Sequence, residues 1–429
     1  MLKRTTWLNI PRQSVVDAMQ SLMVFDGAHD PDQRYATLMH GFSLEAKIPH
    51  PAPVLLGYGP STNEFPPSVE ESPQPRAFRL TEPALNTQGG GEENGEFGYV
   101  PDTLLSSKRG EVAVRRLALP RHSATPITEY ADGDHVWYVY RGSGICYTDI
   151  GQFDFFAGEY VFIPKGFLSA FVAYEDMIAL GIYAQAGFER PNISPSLPHN
   201  ALREPYNEFD LRIPTPRVEI LDQRAANRWW NKNKNGWRVD HVRGSMRYVA
   251  YYDRSPLACY GYQGTPYPFA LPVKKVIAVL TPQVHTDPTW FTTFLSPDHS
   301  VAVSTFKERW VQSLPYHHRN TYDEFLFFAK EYGPRKGSGV GAGDAVFHPQ
   351  GFMHGPQPEA FTTWKAPRSL STQPLVDDCA IMFESRLPLY RVCWRPQYPE
   401  FEIPDYWRSW RPSYERGSTE ASRPNVQKK

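Results

Sequence analysis

The sequence has no closely spaced cysteines, no long apolar run and no excess of charge of either sign. Its four cysteines include no Cys-x-x-Cys pair, so neither a disulfide framework nor a cysteine-based zinc site is expected. No segment reaches the roughly 20 consecutive apolar residues that a membrane helix requires, and the N-terminus contains no signal-peptide core. We therefore expect reduced thiols, a cytoplasmic location and no membrane partner.

The charge balance argues against nucleic acid as a partner. The formal net charge is −1, and neither sign forms a block along the chain. A protein that binds nucleic acid or a membrane surface usually carries a basic excess or patch. The expected partner is therefore a small molecule.

Proline and aromatic residues are abundant in the sequence. It contains 41 prolines, 25 phenylalanines and 24 tyrosines. Proline interrupts helices and is confined to the turns and edges of sheets, so this composition favours many short strands over long helices. From about residue 110 onward, short apolar runs are bounded by glycine, proline or aspartate, which is typical of a sandwich or barrel. We expect a mostly β fold.

The chain divides into four expected segments. Residues 1–110 contain an amphipathic helix predicted over 12–23 and Pro- and Gly-rich loops, and we expect them to pack on the barrels. Residues 111–245 are expected to form a first barrel with a linker, and residues 246–410 a second barrel. The polar tail 411–429 is expected to be disordered.

One short motif occurs twice in the chain. Residues 158–169 and 343–354 both fit the pattern Gly-x5-Pro-x-Gly-x2 followed by one final residue. That final residue is Ser169 in the first copy and His354 in the second. The glycines and proline supply a tight turn that brings the final side chain into the mouth of a barrel. The motif resembles the second conserved motif of cupins, whose final histidine binds a metal. This resemblance implies a double cupin of jelly-roll barrels, with a degenerate N-terminal and a metal-binding C-terminal barrel.

A second histidine and a carboxylate lie upstream of the C-terminal copy. His318 and Glu324 are six residues apart, and with His354 they supply two imidazoles and one carboxylate. This ligand set leaves positions of an iron(II) ion open for substrate and dioxygen. Six residues of extended strand span about 20 Å, so the segment before Glu324 must bend back, and Asn320 suits such a bend. We therefore predict an Fe(2+) site with these three ligands.

The N-terminal copy lacks a complete ligand set. The positions that correspond to His318 and Glu324 are Glu129 and His135, and Ser169 replaces the final histidine. We expect this barrel to have a structural role only.

The sequence around the predicted ligands resembles one particular family. Residues 316–325 (YHHRNTYDEF) are similar to the YxHRNxxxEF signature of homogentisate 1,2-dioxygenases. The similarity continues through His348, six residues before His354, and through residues 285–288 (HTDP), and it covers roughly residues 255–390. The first half of the chain does not reproduce the N-terminal motif usual in that family.

The resemblance implies a reaction and roles for further residues. A dihydroxylated aromatic acid of the homogentisate type would be cleaved with dioxygen to maleylacetoacetate. His285 is the expected acid–base group, because the pKa of histidine lies near neutrality. His348 is expected to contact the substrate or to orient a ligand. The other expected substrate contacts are Tyr316, Tyr332 and Lys336.

Several alternatives stay open. The same iron chemistry could act on gentisate, hydroquinone or a natural-product intermediate, since the N-terminal motif is missing and Gly333 stands where the family has a tyrosine. A metal-dependent cupin isomerase or hydrolase is a second reading, and a non-catalytic binding or storage bicupin a third. The resemblance also implies a homo-oligomer, either a trimer or a hexamer of paired trimers.

Overall fold

The computed structural model describes most of the chain between residues 75 and 392 and a few short stretches outside it. The helix predicted over 12–23 and the tail 411–429 lie outside the described residues. The described residues are 55–58, 62–63, 69–70, 75–81, 99–191, 204–215, 230, 236–276, 292–392, 402–403 and 406, with gaps at 245, 258–265, 308, 311–319, 332–337, 353, 355–356, 358–374 and 377–378.

Strands dominate the described residues, so the prediction of a mostly β fold is confirmed. Two complete helical segments lie in this part of the chain, the short 3-10 turns Glu208–Asp210 and Val273–Lys275, and no described helix is long and apolar enough to cross a membrane. In chain order the strands are β1 (Leu55–Tyr58), β2 (Thr62–Asn63), β3 (Val69–Glu70), β4 (Arg76–Arg79), β5 (Asp102–Ser106), β6 (Val112–Leu119), β7 (Ile127–Tyr130), β8 (Asp134–Arg141), β9 (Ser143–Thr148), β10 (Gly151–Phe156), β11 (Glu159–Ile163), β12 (Leu168–Ala173), β13 (Met177–Ala184), β14 (Trp237–Arg243), β15 (Met246–Tyr252), β16 (Phe269–Pro272), β17 (Thr292–Leu295), β18 (Val301–Phe306), β19 (Arg309–Trp310), β20 (Asp323–Phe328), β21 (Asp344–His348), β22 (Leu375–Val376), β23 (Ala380–Ser385), β24 (Tyr390–Val392) and β25 (Glu402–Ile403).

Strands β6 to β13 form the N-terminal barrel as a jelly roll. One sheet contains the order β6-β13-β8-β11, and the other contains β7-β12-β9-β10. Successive strands therefore cross between two facing sheets, apart from the β9–β10 hairpin, which is the double Greek-key path of a jelly roll. Alternate residues point inward, and Trp137 on β8 contacts Phe171 on β12 across the interior at a ring-centroid distance of 6.2 Å.

The C-terminal strands repeat this topology. The order β18-β23-β20-β21 matches β6-β13-β8-β11, and β19 pairs with β22 as β7 pairs with β12. The described part of the chain thus contains two related jelly-roll units, in agreement with the predicted double barrel. Strand β20, which carries Glu324, occupies the same place as β8.

The two barrels pack against each other through one sheet of each. Phe327 on β20 lies against Tyr138 and Tyr140 on β8, with ring centroids 6.1 and 5.1 Å away. The hydroxyl of Tyr160 on β11 is 2.7 Å from the Oγ1 of Thr305 on β18. Each buried aromatic side chain of this kind contributes roughly 1.5–3 kcal/mol through removal from water. Through this interface β20 packs against β8 of the first barrel.

Strand pairing does not follow the expected segment boundaries. Within residues 1–110, β5 pairs with β6 of the first barrel, whereas β4 pairs with β21 of the second. Strands β15 and β16 lie beyond the expected boundary at residue 246, yet β15 pairs with β14 and β16 with β11. The alternation of apolar residues identifies a strand but not its partner. From β5 to β23, the strands up to β16 belong to the sheets of the first barrel and those from β17 onward to the second, whereas β24 pairs with β5 again.

Candidate metal centre

Two acid–base side chains face each other on neighbouring strands of the second barrel. Glu324 is the second residue of β20 and His348 is the last of β21, and the two are paired directly in the antiparallel ladder. Paired residues point to the same face of a sheet. Here both side chains are buried, and the Nδ1 of His348 lies 3.9 Å from the Oε2 of Glu324.

A tight turn brings His354 to the same place. The backbone N–H of Phe352 donates to the carbonyl of Pro349 at 3.2 Å. Gly351 sits at the third position of the turn with φ 82°, a left-handed conformation that glycine adopts without strain. The chain reverses there, and the Nε2 of His354 comes within 2.9 Å of the Oε2 of Glu324.

The three side chains form a donor set that suits a divalent metal ion. One atom from each of Glu324, His348 and His354 lies within 4.8 Å of the others, and all three residues are buried. The two imidazole rings are stacked, with centroids 4.4 Å apart. Imidazole nitrogens and a carboxylate oxygen are common ligands of iron, zinc and manganese. Among the residues that the structure describes, this is the single group of its kind.

Hydrogen bonds to the backbone and to a tyrosine orient the two histidines. The Nδ1 of His354 lies 3.0 Å from the carbonyl oxygen of Phe352. A carbonyl oxygen only accepts, so Nδ1 donates to it, and Nε2 is the nitrogen that faces Glu324. The Nε2 of His348 lies 3.3 Å from the hydroxyl of Tyr406. Partners of this sort fix the ring orientation of metal ligands.

Negative charge is concentrated on Glu324. Burial opposes its ionisation, but the imidazoles of His348 and His354 outweigh this effect and hold the pKa of Glu324 well below its usual range. Glu384 lies opposite Glu324 on β23, and burial, followed by the charge of Glu324, raises the pKa of Glu384 to about 8. At neutral pH the site therefore holds one carboxylate and one carboxylic acid.

Two partners of the centre could not be read from sequence spacing. The side-chain amide of Asn320 donates to the Oε1 of Glu324, although Asn320 was expected only to support the bend. Tyr406 lies 58 residues beyond His348, and no local pattern connects them. A tyrosine so distant is placed by the tertiary fold alone.

The structure describes three of the predicted site residues and brings them together. Glu324 and His354, predicted as ligands, are in hydrogen-bond contact. His348, predicted beside the substrate, lies within ligand distance of both. The predicted residues outside the described part of the chain are His285, Tyr316, His318, Tyr332 and Lys336.

The corresponding positions of the N-terminal barrel are arranged differently. His135 on β8 pairs with Ile163 on β11, in the register of the β20–β21 ladder. His135 is fully buried, and neither of its ring nitrogens has a hydrogen-bond partner. Glu129 contacts His241 on β14 instead, with 2.5 Å between its Oε2 and the Nδ1 of the histidine.

Comparison with known proteins identifies the C-terminal part of the chain. Residues 274–416 match the family model described as homogentisate 1,2-dioxygenase C-terminal. A protein of Saccharolobus solfataricus named as a dioxygenase is 28% identical over 292 residues, which cover 65% of this chain and 69% of that protein.

More distant relatives give the same family name. The homogentisate 1,2-dioxygenases of Mus musculus and Homo sapiens are 27% and 26% identical, each over 66% of this chain and 63% of their own length, which is less than two thirds. A cupin 2 conserved barrel domain protein from Leptotrichia buccalis aligns over 74% of this chain and 97% of its own, at 8% identity and a TM-score of 0.34. The family match contains Glu324, His348 and His354, and the C-terminal part of the chain resembles the homogentisate 1,2-dioxygenase family.

Proposed function

We propose that this protein is an iron(II)-dependent dioxygenase that cleaves the ring of a dihydroxylated aromatic acid of the homogentisate type. The observation that carries the proposal is the buried group of Glu324, His348 and His354 inside the segment that matches the family model. A carboxylate held beside two imidazoles in a barrel interior has no structural need to be there. Apolar residues would fill the same space without a desolvation cost.

The proposed iron ligands are Glu324, His354 and His318. Glu324 supports this role because its low pKa keeps it anionic at neutral pH. His354 supports it because its Nδ1 is held by a backbone carbonyl and its Nε2 faces the carboxylate of Glu324. When bound, iron(II) would lower the pKa of a ring hydroxyl and hold dioxygen next to the ring. His348 would orient one of the iron ligands or contact the substrate.

The remaining roles belong to residues known only from the sequence. His285 is proposed to accept the proton of the substrate hydroxyl and to return it later, since histidine exchanges protons near neutral pH. Lys336 is proposed to pair with the acidic arm of the substrate. The ring bond that breaks would join the hydroxyl-bearing carbon to the carbon with the acetic acid arm. Both atoms of dioxygen enter the product, maleylacetoacetate, so no separate reductant is required.

Oxygen consumption tests the proposal. The protein is loaded anaerobically with iron(II) and mixed with homogentisate, gentisate or hydroquinone, and product absorbance is followed with dissolved oxygen. We expect rapid uptake with homogentisate. We expect His354→Ala to lower the rate by at least about 100-fold, because it removes a ligand.

Ser169→Ala is the matched control, since Ser169 occupies the position of His354 in the N-terminal copy of the motif. It should leave the rate unchanged. Oxygen uptake with gentisate or hydroquinone but not with homogentisate would support the iron chemistry and change the proposed substrate. These two compounds are included because Gly333 stands where the family has a tyrosine. No uptake with any of the three, despite one bound iron per chain, would reject the dioxygenase.

We also propose that the protein works as a homo-oligomer, a trimer or a hexamer. Light scattering after size-exclusion chromatography would measure the mass of the particle against the 49.0 kDa of one chain. A particle of one chain's mass at micromolar concentration would reject this part of the proposal.

A further inference from the structure

A buried aspartate begins the site strand in both barrels. Asp323 is the first residue of β20 and precedes Glu324, and Asp134 is the first residue of β8 and precedes His135. Their relative exposures are 2% and 3%. A carboxylate that is buried to this degree requires hydrogen-bond donors.

In the second barrel the donors come from two turns of the backbone. The Oδ1 of Asp323 accepts from the N–H of Gln350 at 2.8 Å, and its Oδ2 accepts from the N–H of Leu389 at 2.5 Å. Gln350 lies two residues after β21, in the turn that precedes His354. Leu389 lies four residues after β23. The side chain of Asp323 thus connects the start of β20 to the segments that follow β21 and β23. We call this aspartate and its two backbone donors the aspartate clamp.

The first barrel contains the same clamp. The Oδ1 of Asp134 accepts from the N–H of Lys165 at 2.8 Å, and its Oδ2 accepts from the N–H of Phe188 at 2.7 Å. Lys165 lies two residues after β11, and Phe188 lies four residues after β13, so both offsets equal those of the second barrel. The donors differ in side chain and agree in backbone position. The clamp therefore depends on where the backbone N–H groups lie and not on the side chains of the donor residues.

In the second barrel this path determines where His354 lies. The turn of Pro349, Gln350 and Gly351 leads directly to the histidine. Its glycine N–H donates to the carbonyl of Asn320 at 2.9 Å, which ties the turn to the segment before β20 as well. Because Asp323 is covalently joined to Glu324, its bond to Gln350 couples the strand that carries the carboxylate to the turn that delivers the imidazole.

We propose that Asp323 is a positioning residue for the metal centre, which sets the approach of His354 to Glu324. The proposal rests on the proposed metal-binding function of those two residues. Asp134 holds the corresponding turn of the first barrel, but that turn precedes Ser169 and not a histidine. We therefore expect Asp134 to affect stability alone. An asparagine retains only one acceptor oxygen and turns an N–H towards a backbone donor, so it breaks the clamp at constant size.

The experiment compares Asp323→Asn with Asp134→Asn in the full-length protein. Iron(II) affinity is measured by anaerobic equilibrium dialysis, and cobalt(II) is used in parallel for its visible absorption spectrum, which reports ligand geometry. We expect Asp323→Asn to raise the Kd for iron(II) by about 10- to 100-fold and to change the cobalt spectrum. Asp134→Asn should leave both unchanged. Both variants should lower the thermal midpoint by a few degrees, on the order expected for a lost charged hydrogen bond.

A second pair of variants removes the donor instead of the acceptor. Gln350 and Lys165 occupy the second position of turns whose next residues, Gly351 and Gly166, have φ of 82° and 78°. Proline fits the second position of such a turn and has no N–H. We expect Gln350→Pro to weaken iron binding as Asp323→Asn does, and Lys165→Pro to leave it unchanged. This pair decides the matter if Asp323→Asn does not fold.

The outcomes separate this proposal from the proposed function. Wild-type protein that binds no iron would reject the metal centre and the positioning role with it. Wild-type protein that binds iron, with unchanged affinity in Asp323→Asn or in Gln350→Pro, would reject the positioning role alone. Equal losses of affinity in the Asp323 and Asp134 variants would also reject it, because they would reflect general destabilisation.

Discussion

Glu324 and His135 occupy the same position in the two barrels. Each is the second residue of its strand, and each pairs with the last residue of the neighbouring strand. The carboxylate of Glu324 lies among imidazoles, which hold its pKa well below the usual range. His135 lies among aromatic rings, and burial, with the charge of Arg115 as the second cause, holds its pKa well below the usual range. The same backbone position thus holds a charge in one barrel and a neutral ring in the other.

The roles of the two candidate third ligands can be separated by substitution. The proposal assigns a ligand role to His318 and an orienting role to His348. We expect His318→Ala to abolish stoichiometric iron binding. His348→Ala should still bind one iron per chain, with a Kd raised about 10- to 100-fold, because it removes a neighbour of Glu324 but no ligand. Metal analysis after anaerobic dialysis measures both.

Tyr406→Phe is the matched control for this experiment. It removes the hydroxyl 3.3 Å from the Nε2 of His348 and keeps the ring. A smaller effect than that of His348→Ala is expected. If His348→Ala loses the iron and His318→Ala retains it, the ligand set is Glu324, His348 and His354.

The neutral state of His135 makes a prediction about pH and stability. In the unfolded chain this histidine titrates near its ordinary pKa of about 6.5, whereas in the folded barrel it stays neutral. Below that pH the unfolded state binds the extra proton, so the free energy of unfolding falls by up to about 1.4 kcal/mol per pH unit. His135→Phe should remove this part of the dependence while keeping the stacked contact with Trp137, whose ring lies 4.3 Å away.

Urea unfolding at pH 7.5, 6.5 and 5.5 measures the effect. The difference between His135→Phe and wild type should grow in favour of the variant as the pH falls. His122→Asn, at an exposed turn position with φ 59°, is the control for the loss of a histidine from the chain. A constant difference across the series would mean that folding does not shift the pKa of His135.

Local patterns predicted the parts of the site that depend on nearby residues. The repeated motif places a proline and a glycine of positive φ before His354, and the turn they form brings the histidine back towards Glu324. The β-rich fold was likewise predictable, because proline and the bounded apolar runs act locally. These features need no knowledge of strand partners.

Long-range pairing could not be predicted. His348 reaches ligand distance because it pairs with Glu324, and this register is set by the whole ladder. Strand β4 joins the same sheet from residues 76–79, 265 positions before the start of β21. Sequence spacing contains no information about either contact, since a strand's apolar pattern fits several neighbours equally well.

The acid stability of the N-terminal half depends on Asp240. This residue is fully buried and accepts from the Nε of Arg238 at 2.6 Å and the Nη1 of Arg247 at 2.8 Å. Burial raises its pKa, but the charges of Arg247 and Arg238 outweigh burial and leave the pKa below its ordinary value. A depressed pKa stabilises the folded state above the unfolded pKa of about 3.9, and this stability is lost as the pH falls towards the folded value.

Asp240→Asn should therefore cost about 3–5 kcal/mol at pH 7, since it leaves two arginines beside a neutral group. The cost should shrink as the pH falls below about 5, where the unfolded wild-type chain begins to take up a proton at this carboxylate while the folded one stays ionised. Urea unfolding across that range measures it, with the exposed Asp154→Asn as control. A cost that does not change with pH would contradict the ion-pair account.

The first glycines of the two motif copies separate backbone strain from crowding. Gly343 and Gly158 have φ of 89° and 81°, so alanine at either position adopts a left-handed conformation that costs about 1–2 kcal/mol. A Cβ on Gly343 would lie 2.4 Å from the Cγ2 of Thr81, whereas a Cβ on Gly158 would have no atom within 4 Å. Crowding of this kind adds about 1–3 kcal/mol. Gly343→Ala should thus destabilise the protein more than Gly158→Ala in urea unfolding.

The double variant Gly343→Ala/Thr81→Ala tests the cause of that difference. It removes the Cγ2 and Oγ1 atoms, which lie 2.4 and 2.8 Å from the new carbon, and leaves only the Cβ of residue 81 at 3.1 Å. Thr81→Ala alone provides the reference, so the coupling between the two substitutions follows from a double-mutant cycle. We expect the double variant to recover most of the excess loss of Gly343→Ala. Equal losses for Gly343→Ala and Gly158→Ala would mean that the strand β21 and the turn before it shift to accommodate the methyl group, which would also move His348.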